Sequence, residues 1–174
     1  NAAGATRCVF MSAGILDGFT LEKGRTRAGG NAPTNEYIRG GGGVCIMTPA
    51  PGTVVRNCVI RNNESQTGGG VTGGQTGGID TYAYRYNGTV VDCVITNNKA
   101  GYGGGIAYYS TFDRCLIAHN TATSQGGGAY DVKQGVNNSL FIRNTASSSA
   151  GGVYIGTLNN CTVTSNSNGG ATGS

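Results

Sequence analysis

The chain repeats itself about every 22 residues, and this repeat restricts the fold more than any other feature of the sequence. Five positions set the register, and the residue five places after each of them is always asparagine. These positions are Cys58, Cys93, Cys115, Ser139 and Cys161, and the asparagines are Asn63, Asn98, Asn120, Asn144 and Asn166. The last three intervals are 22, 24 and 22 residues, too short for a strand-helix-strand unit of about 30 residues. Successive repeats are therefore expected to stack as coils made of strands alone.

Two further columns of the repeat are apolar throughout. The residue two places after each register position is Ile60, Ile95, Ile117, Phe141 or Val163, and the residue three places before it is Val55, Val90, Phe112, Val136 or Leu158. Stacked coils would align these side chains into a continuous core. The asparagines would form a ladder, because each amide can donate to one neighbour and accept from the other. Glycine triplets such as 103–105 and 126–128 are expected where the chain bends or where a side chain would meet the next coil.

Composition supports the same fold. Charged residues make up only 11% of the chain, whereas glycine and short runs of Val, Ile and Thr recur throughout. We predict an all-β fold, a single-stranded right-handed parallel β-helix (a solenoid) of about six to seven coils, with the hand taken from the rule for parallel crossovers. Residues 1–174 are predicted to form a single domain, and segments 25–40 and 71–89, which lack the register, to form projecting loops.

The repeat also resembles that of a known group of proteins. Gly-Gly-apolar segments such as 127–129, alternating with apolar-x-x-Asn segments such as 60–63 and 141–144, are similar to the repeats of polymorphic outer membrane proteins and related β-helices of bacterial surfaces. This resemblance implies an extracellular or cell-surface bacterial protein that acts in adhesion. More distantly, the fold is similar to that of pectate lyases and polygalacturonases, in which it carries a grafted catalytic site. Because residues 169–171 resemble the opening of another repeat, we expect a fragment of a longer polypeptide.

The six cysteines are predicted to be mainly buried thiols rather than disulfides. Cys58, Cys93, Cys115 and Cys161 share an inward strand position, where parallel side chains in register fit disulfide geometry poorly. Whether Cys8 and Cys45 pair stays open. No metal site is predicted, because His119 is the only histidine and is expected to be a turn or outward residue beside the ladder.

The residue after each register position is expected to face outwards. These residues are Val59, Val94, Leu116, Leu140 and Thr162, and we call them the ridge. An exposed apolar ridge along a rod is typical of a contact surface. It would pack against another part of the same protein or against a neighbouring molecule.

Tyrosines form a second candidate surface. Tyr82, Tyr84 and Tyr86 alternate, so in a strand they would share one face, and further tyrosines follow in the next coils near the same edge. The predicted ligand-binding residues are Tyr82, Tyr84, Tyr86, Tyr108, Tyr109 and Tyr130, with Tyr154 beside them. Aromatic rings next to a few polar groups suit sugars, which present apolar C–H surfaces rimmed by hydroxyls.

No catalytic residues are predicted for the favoured function. If the chain is an enzyme, the expected reaction is hydrolysis or elimination on a polysaccharide, with Asp80 and Asp131 as the acidic pair and Arg85 and Lys133 nearby. No cofactor is expected, except that a lyase would use Ca²⁺ held by several acidic groups.

The favoured function is a secreted or cell-surface scaffold that binds a glycan or a surface protein. The alternatives are a carbohydrate-active enzyme, a lyase or hydrolase, and a self-assembling filament. Nucleic acid is not expected as a partner, because the net charge of +4 comes from scattered residues, and no segment is apolar and long enough to span a membrane.

Overall fold

A computed structural model describes residues 6–26, 40–47, 52–65, 79–82, 88–108 and 110–172; for Met47 and residues 79–82 it describes the backbone alone. The strands of this part of the chain are β1 (Val9–Met11), β2 (Ile15–Asp17), β3 (Thr20–Glu22), β4 (Val44–Met47), β5 (Val54–Arg56), β6 (Val59–Arg61), β7 (Ile79–Tyr82), β8 (Thr89–Val91), β9 (Val94–Thr96), β10 (Lys99–Ala100), β11 (Ile106–Tyr108), β12 (Thr111–Asp113), β13 (Leu116–Ala118), β14 (Thr121–Ala122), β15 (Ala129–Asn137), β16 (Leu140–Ile142), β17 (Thr145–Ala146), β18 (Val153–Asn159), β19 (Thr162–Thr164) and β20 (Ala171–Thr172).

These strands stack as parallel sheets, one strand from each coil. The six-stranded sheet runs β3-β6-β9-β13-β16-β19, and its register aligns Ile60, Ile95, Ile117 and Phe141 between neighbouring coils. The larger sheet includes β2-β5-β8-β12 and continues into β15 and β18. Its register aligns the second predicted apolar column, from Val55 to Leu158. The predicted all-β, parallel β-helix is therefore confirmed, whereas the number of coils stays a prediction.

The core consists of these aligned columns. Ile60, Ile95, Ile117 and Phe141 have no exposed surface, and the same holds for the second column from Val55 to Val136. Fully burying a side chain of this size stabilises the fold by about 1.5–3 kcal/mol, so each internal coil contributes through the two columns. Leu158 and Val163, in the last complete described coil, are only partly buried against the core.

The asparagine column forms a buried ladder of hydrogen bonds. The backbone N–H and the side-chain amide of Asn98 both donate to Oδ1 of Asn120, at 3.0 and 3.1 Å. Asn120 donates in the same two ways to Asn144, and its Nδ2 also donates to the carbonyl of Ile95 at 2.9 Å. The same pattern starts at Asn63 and ends at Asn166. Side chains thus satisfy backbone groups at a bend where the strands are interrupted.

The glycine triplets lie where neighbouring coils approach most closely. A Cβ atom on Gly127 would lie 2.5 Å from the carbonyl oxygen of Gly151 and 2.4 Å from that of Thr145, closer than real Cβ atoms come. Gly126, just before it, has φ of +67°, a left-handed conformation that favours glycine. Larger residues at these positions would push the coils apart.

The structure describes parts of both segments that the sequence analysis assigned to projecting loops. In segment 25–40, residues 27–39 lie outside the described residues. At its two ends, Arg25 forms a parallel bridge with Glu64, and the carbonyl of Gly40 accepts hydrogen bonds from Arg7. In segment 71–89, residues 71–78 and 83–87 lie outside the described residues. Ile79–Tyr82 form β7, which pairs in register with β4 and β11. In this register Ile79 aligns with Val44 and Ile106.

Candidate functional site

Four tyrosines meet on the outer face of the larger sheet, and we call them the tyrosine cluster: Tyr102, Tyr108, Tyr130 and Tyr154. The rings of Tyr130 and Tyr154 stack with centroids 5.4 Å apart and an angle of 9° between their planes. Tyr102 and Tyr108 approach Tyr130 at 5.1 and 5.8 Å, tilted by 57° and 76°. All four are partly exposed. The cluster is thus an aromatic surface centred on Tyr130.

The register of the coils explains why these rings meet. Ile106, Ala129 and Val153 form an inward column, so the next residue on each strand faces outwards. That outward column reads Ala107, Tyr130 and Tyr154, and neighbouring strands lie about 4.8 Å apart, which is close to a ring-stacking distance. Ala107 is small and fully buried.

A β-bulge lies directly beside the cluster. Strand β15 pairs with β18 through Val132 and Gly156 and again through Val136 and Leu158, so β15 has two more residues than β18 between these pairs. Lys133 and Gln134 in the bulge are exposed, and Gly135 has φ of +107°. Bulges occur next to binding sites because they redirect side chains out of the sheet. Here the bulge places polar groups at the edge of the aromatic surface.

The residue following each outward position has a left-handed backbone. These residues are Tyr108, Asp131 and Ile155, with φ of 70°, 54° and 55°. This conformation is uncommon for residues other than glycine and is unfavourable for a β-branched residue such as Ile155. The bend is therefore a shared feature of three adjacent coils at the cluster, held by the surrounding sheet.

Asp131 is the charged residue most closely tied to the cluster. Its Oδ1 lies 3.2 Å from Nζ of Lys133, but that atom is buried and makes no hydrogen bond within the described part of the protein. Burial raises the pKa of Tyr130, and the negative charge of Asp131 and the nearby Tyr154 and Tyr102 raise it further. The carboxylate therefore contributes to the electrostatic environment of the central ring.

The predicted tyrosine site is only partly within the described residues. Tyr108 and Tyr130 come together with Tyr154. Tyr84, Tyr86 and Tyr109 lie outside the described residues, and Tyr82 is the last residue of β7, beside Met47 in the register.

Sequence reasoning missed Tyr102 and the bulge. The signal for the bulge was present, because the repeat from Cys115 to Ser139 has 24 residues rather than 22. Tyr102 stands alone between two glycines outside the strand pattern.

The proposed acidic pair is separated along the rod. The register aligns Asp80 with Ala107 and Ala107 with Tyr130. Asp131 is the residue after Tyr130, so its strand lies two strands away from that of Asp80. Two strand spacings place the two backbones roughly 10 Å apart. Arg85 lies outside the described residues, whereas Lys133 pairs with Asp131. A catalytic role for these groups stays a prediction.

The ridge is aligned as its spacing predicts. Val59, Val94, Leu116, Leu140 and Thr162 pair in sequence across β6, β9, β13, β16 and β19. The four apolar members are partly buried and Thr162 is exposed. A shallow groove of about 480 Å³ lies along the ridge, between Leu116 and Leu140 on one side and Arg114, Asn138 and Asn160 on the other.

Polar turn residues beside the groove hold one another by exposed contacts. Arg114 contacts Asp92 at 2.8 and 3.0 Å and also Asp113, and Asn160 donates to Asn138 at 2.7 Å. The hydrogen bond from Arg114 lowers the pKa of Asp92. Asp92 and Arg114 directly precede Cys93 and Cys115, so the stacking of the coils brings them together.

All six cysteines lie in the described ranges, and Cys8, Cys58, Cys93, Cys115 and Cys161 are free thiols. Cys45, Cys58, Cys93 and Cys115 are buried, whereas Cys8 and Cys161 are partly exposed. Burial raises the pKa of the Cys58 thiol, and the thiols of Cys93 and Cys115 donate to the backbone carbonyls of Val91 and Asp113 at 3.2 and 3.3 Å. A protonated, buried thiol is a poor nucleophile, so the cysteines of the core act as small apolar side chains.

The described ranges contain neither a long apolar helix nor a group of metal-ligating side chains. The strands and turns there include no apolar helix of membrane-spanning length. In those same ranges, no three His, Cys, Asp or Glu side chains group in a way that could hold a metal ion.

Comparison with known proteins agrees with the fold. A family described as the right-handed β-helix region matches residues 15–146, well over half of the chain. Searches among curated proteins and among solved structures found no match. The aligned columns, the parallel sheets and the extent of this match together show that the chain belongs to the right-handed β-helix family.

Proposed function

We propose that this chain is a secreted or cell-surface scaffold that binds glycans through the tyrosine cluster. The observation that carries the proposal is the partly exposed group of Tyr102, Tyr108, Tyr130 and Tyr154 at the bulge of β15. Sugar rings have apolar faces that stack on aromatic rings, and hydroxyl edges that need polar partners.

The surroundings of the cluster supply such partners. Lys133 and Gln134 are exposed in the bulge, and Asp131 follows Tyr130 directly. A rigid β-helix holds these groups in place, which lowers the entropic cost of ordering a binding surface. The bulge and the tyrosines therefore combine an apolar platform with polar groups at its rim.

Electrophoresis in gels cast with polysaccharides tests the proposal. We expect the protein to be retarded by at least one polysaccharide in a panel of neutral, amino and acidic polymers, and no zone of digested polymer to form. Tyr130→Ala should weaken retention about tenfold, because it removes the central ring of the stack.

Phe10→Ala is the matched control, because Phe10 is an exposed aromatic residue in β1, outside the cluster. If Phe10→Ala and Tyr130→Ala reduce retention equally, the proposal of a specific site is contradicted. Digestion of the polymer would favour the enzymatic alternative, and Asp131→Asn would then be the first variant to assay.

A further inference from the structure

The charges at the tyrosine cluster point to one class of glycan. Asp131 directly follows Tyr130 in the chain. Tyr130 pairs in register with Ala107, so Asp131 corresponds to Tyr108, the residue that follows Ala107. The bulge brings Lys133 back over this carboxylate, so that Nζ lies 3.2 Å from Oδ1. The carboxylate of Asp131 therefore already has one cation beside it.

That internal ion pair is easily exchanged. The side chain of Lys133 is 58% exposed, whereas that of Asp131 is 17% exposed. An ion pair with one member in solvent contributes little to stability, because water screens it and the long lysine side chain loses entropy. Since Oδ1 of Asp131 is buried, a ligand ammonium group that displaced Lys133 would pair with the exposed part of the same carboxylate, which would keep it paired.

The aromatic rings also favour a cation near this carboxylate, because Asp131 directly follows Tyr130 in the chain. The faces of aromatic rings are electron-rich and attract ammonium groups within about 6 Å. The carboxylate of Asp131 adds to this attraction, and burial together with this negative charge raises the pKa of Tyr130. The same features disfavour the carboxylates of acidic sugars, although the whole chain carries a net charge of +4.

We propose that the tyrosine cluster selects glycans that carry a protonated amine, with Asp131 as the specificity-determining residue and Lys133 as an internal competitor. This inference rests on the proposed glycan-binding function. The sugar ring would stack on Tyr130 and Tyr154, and its ammonium group would take the place of Lys133 beside Asp131.

Three probes test the selection. They are oligomers of glucosamine, oligomers of N-acetylglucosamine of the same length, and oligogalacturonate, each titrated into the protein by calorimetry. The two glucosamine series share one backbone and differ in the charge and substitution of the nitrogen. We expect the amine form to bind about tenfold more tightly than the acetylated form and oligogalacturonate to bind least.

Variants separate the roles of the two charged residues. Asp131→Asn should reduce the preference for the amine severalfold and leave binding of the acetylated form nearly unchanged. Lys133→Ala should strengthen binding of the amine form, because it removes the competitor. Lys99→Ala is the matched control, since Lys99 is an exposed lysine in β10. Its loss changes the net charge by the same amount as the loss of Lys133.

The results distinguish this inference from the function on which it rests. If the protein binds both glucosamine series equally and Tyr130→Ala abolishes this binding, glycan binding is supported and the amine selection is overturned. Weaker amine binding in Lys133→Ala would also overturn it. Absence of binding by every probe would contradict both proposals. Thermal unfolding of each variant shows whether the fold is retained.

Discussion

The ridge and the tyrosine cluster lie on the same stack of coils, but they differ in regularity. The ridge contributes one residue from each of five successive strands in unbroken register, from Val59 to Thr162. The tyrosine cluster lies where β15 gains two residues relative to β18. Regular stacking builds the rod, whereas departures from it place distinctive side chains beside one another. Variants in each region can therefore test whether stability and binding are separable.

The largest expected effect comes from the ladder, which belongs to the regular part. Asn120→Ala removes a buried amide that bonds to Asn98, Asn144 and the carbonyl of Ile95. Unpaired groups would remain in the core, so we expect a loss of about 4 kcal/mol in the free energy of unfolding.

Chemical denaturation measures this loss. The control is Asn159→Ala, because Asn159 is an exposed asparagine of β18 that lies outside the ladder and has no left-handed backbone. A change of similar size in both variants would show that the ladder contributes no more than an exposed asparagine does.

The second effect compares the two surfaces directly. Tyr130→Ala should weaken glycan binding about tenfold. Leu116→Ala, in the ridge, should leave binding unchanged and lower the free energy of unfolding by about 1–2 kcal/mol, because Leu116 is only partly buried. Binding titrations and denaturation curves are needed for both variants. If Leu116→Ala weakens glycan binding as much as Tyr130→Ala does, the separation of the two surfaces is wrong.

A third variant removes the irregularity itself. Deleting Gln134 and Gly135 shortens the 24-residue repeat to the 22 residues of its neighbours. We expect the fold to be retained, with the free energy of unfolding changed by about 1 kcal/mol or less. Glycan binding should fall severalfold, because Gln134 is lost from the polar rim and the strand no longer bulges beside the cluster.

The deletion would argue against the proposed site if binding were unaffected while the variant remained folded. Unfolding of the deletion variant under native conditions would instead show that the bulge is required by the scaffold, contrary to the expected result.

The smallest effect concerns the exposed pair of Asp92 and Arg114. Since the pKa of Asp92 is lowered in the folded state, its contribution to stability is present above the usual aspartate pKa of about 3.9 and is lost as the pH falls below it. Asp92→Asn should therefore reduce stability slightly at neutral pH and hardly at all in strong acid. Both side chains are largely exposed, so the difference should be small and should shrink in salt.

Much of the regular part could be predicted from the sequence. The constant asparagine at Asn120 and its counterparts, the apolar columns and the outward position of Leu116 all follow from one repeat length, because adjacent coils stack like residues on like. The buried state of Cys93 followed from the same register. These predictions need only local spacing, and the structure agrees with them.

The irregular part could not be predicted in the same way. The two extra residues near Lys133 were visible as a longer interval, but a length alone does not show whether residues enter a turn or a bulge. Tyr102 lies in a glycine-rich bend, and its contact with Tyr130 depends on the conformation of that bend.

The sequence by itself determined the class of fold, the composition of the core and the ladder, because a period repeated along the chain becomes a column when coils stack. Only the tertiary structure decided which surface side chains meet. The contacts of Tyr130 with Tyr102 and Tyr154, and of Asp131 with Lys133, join residues from a bend, two coils and a bulge. Their distances depend on backbone angles and register shifts that no single repeat encodes.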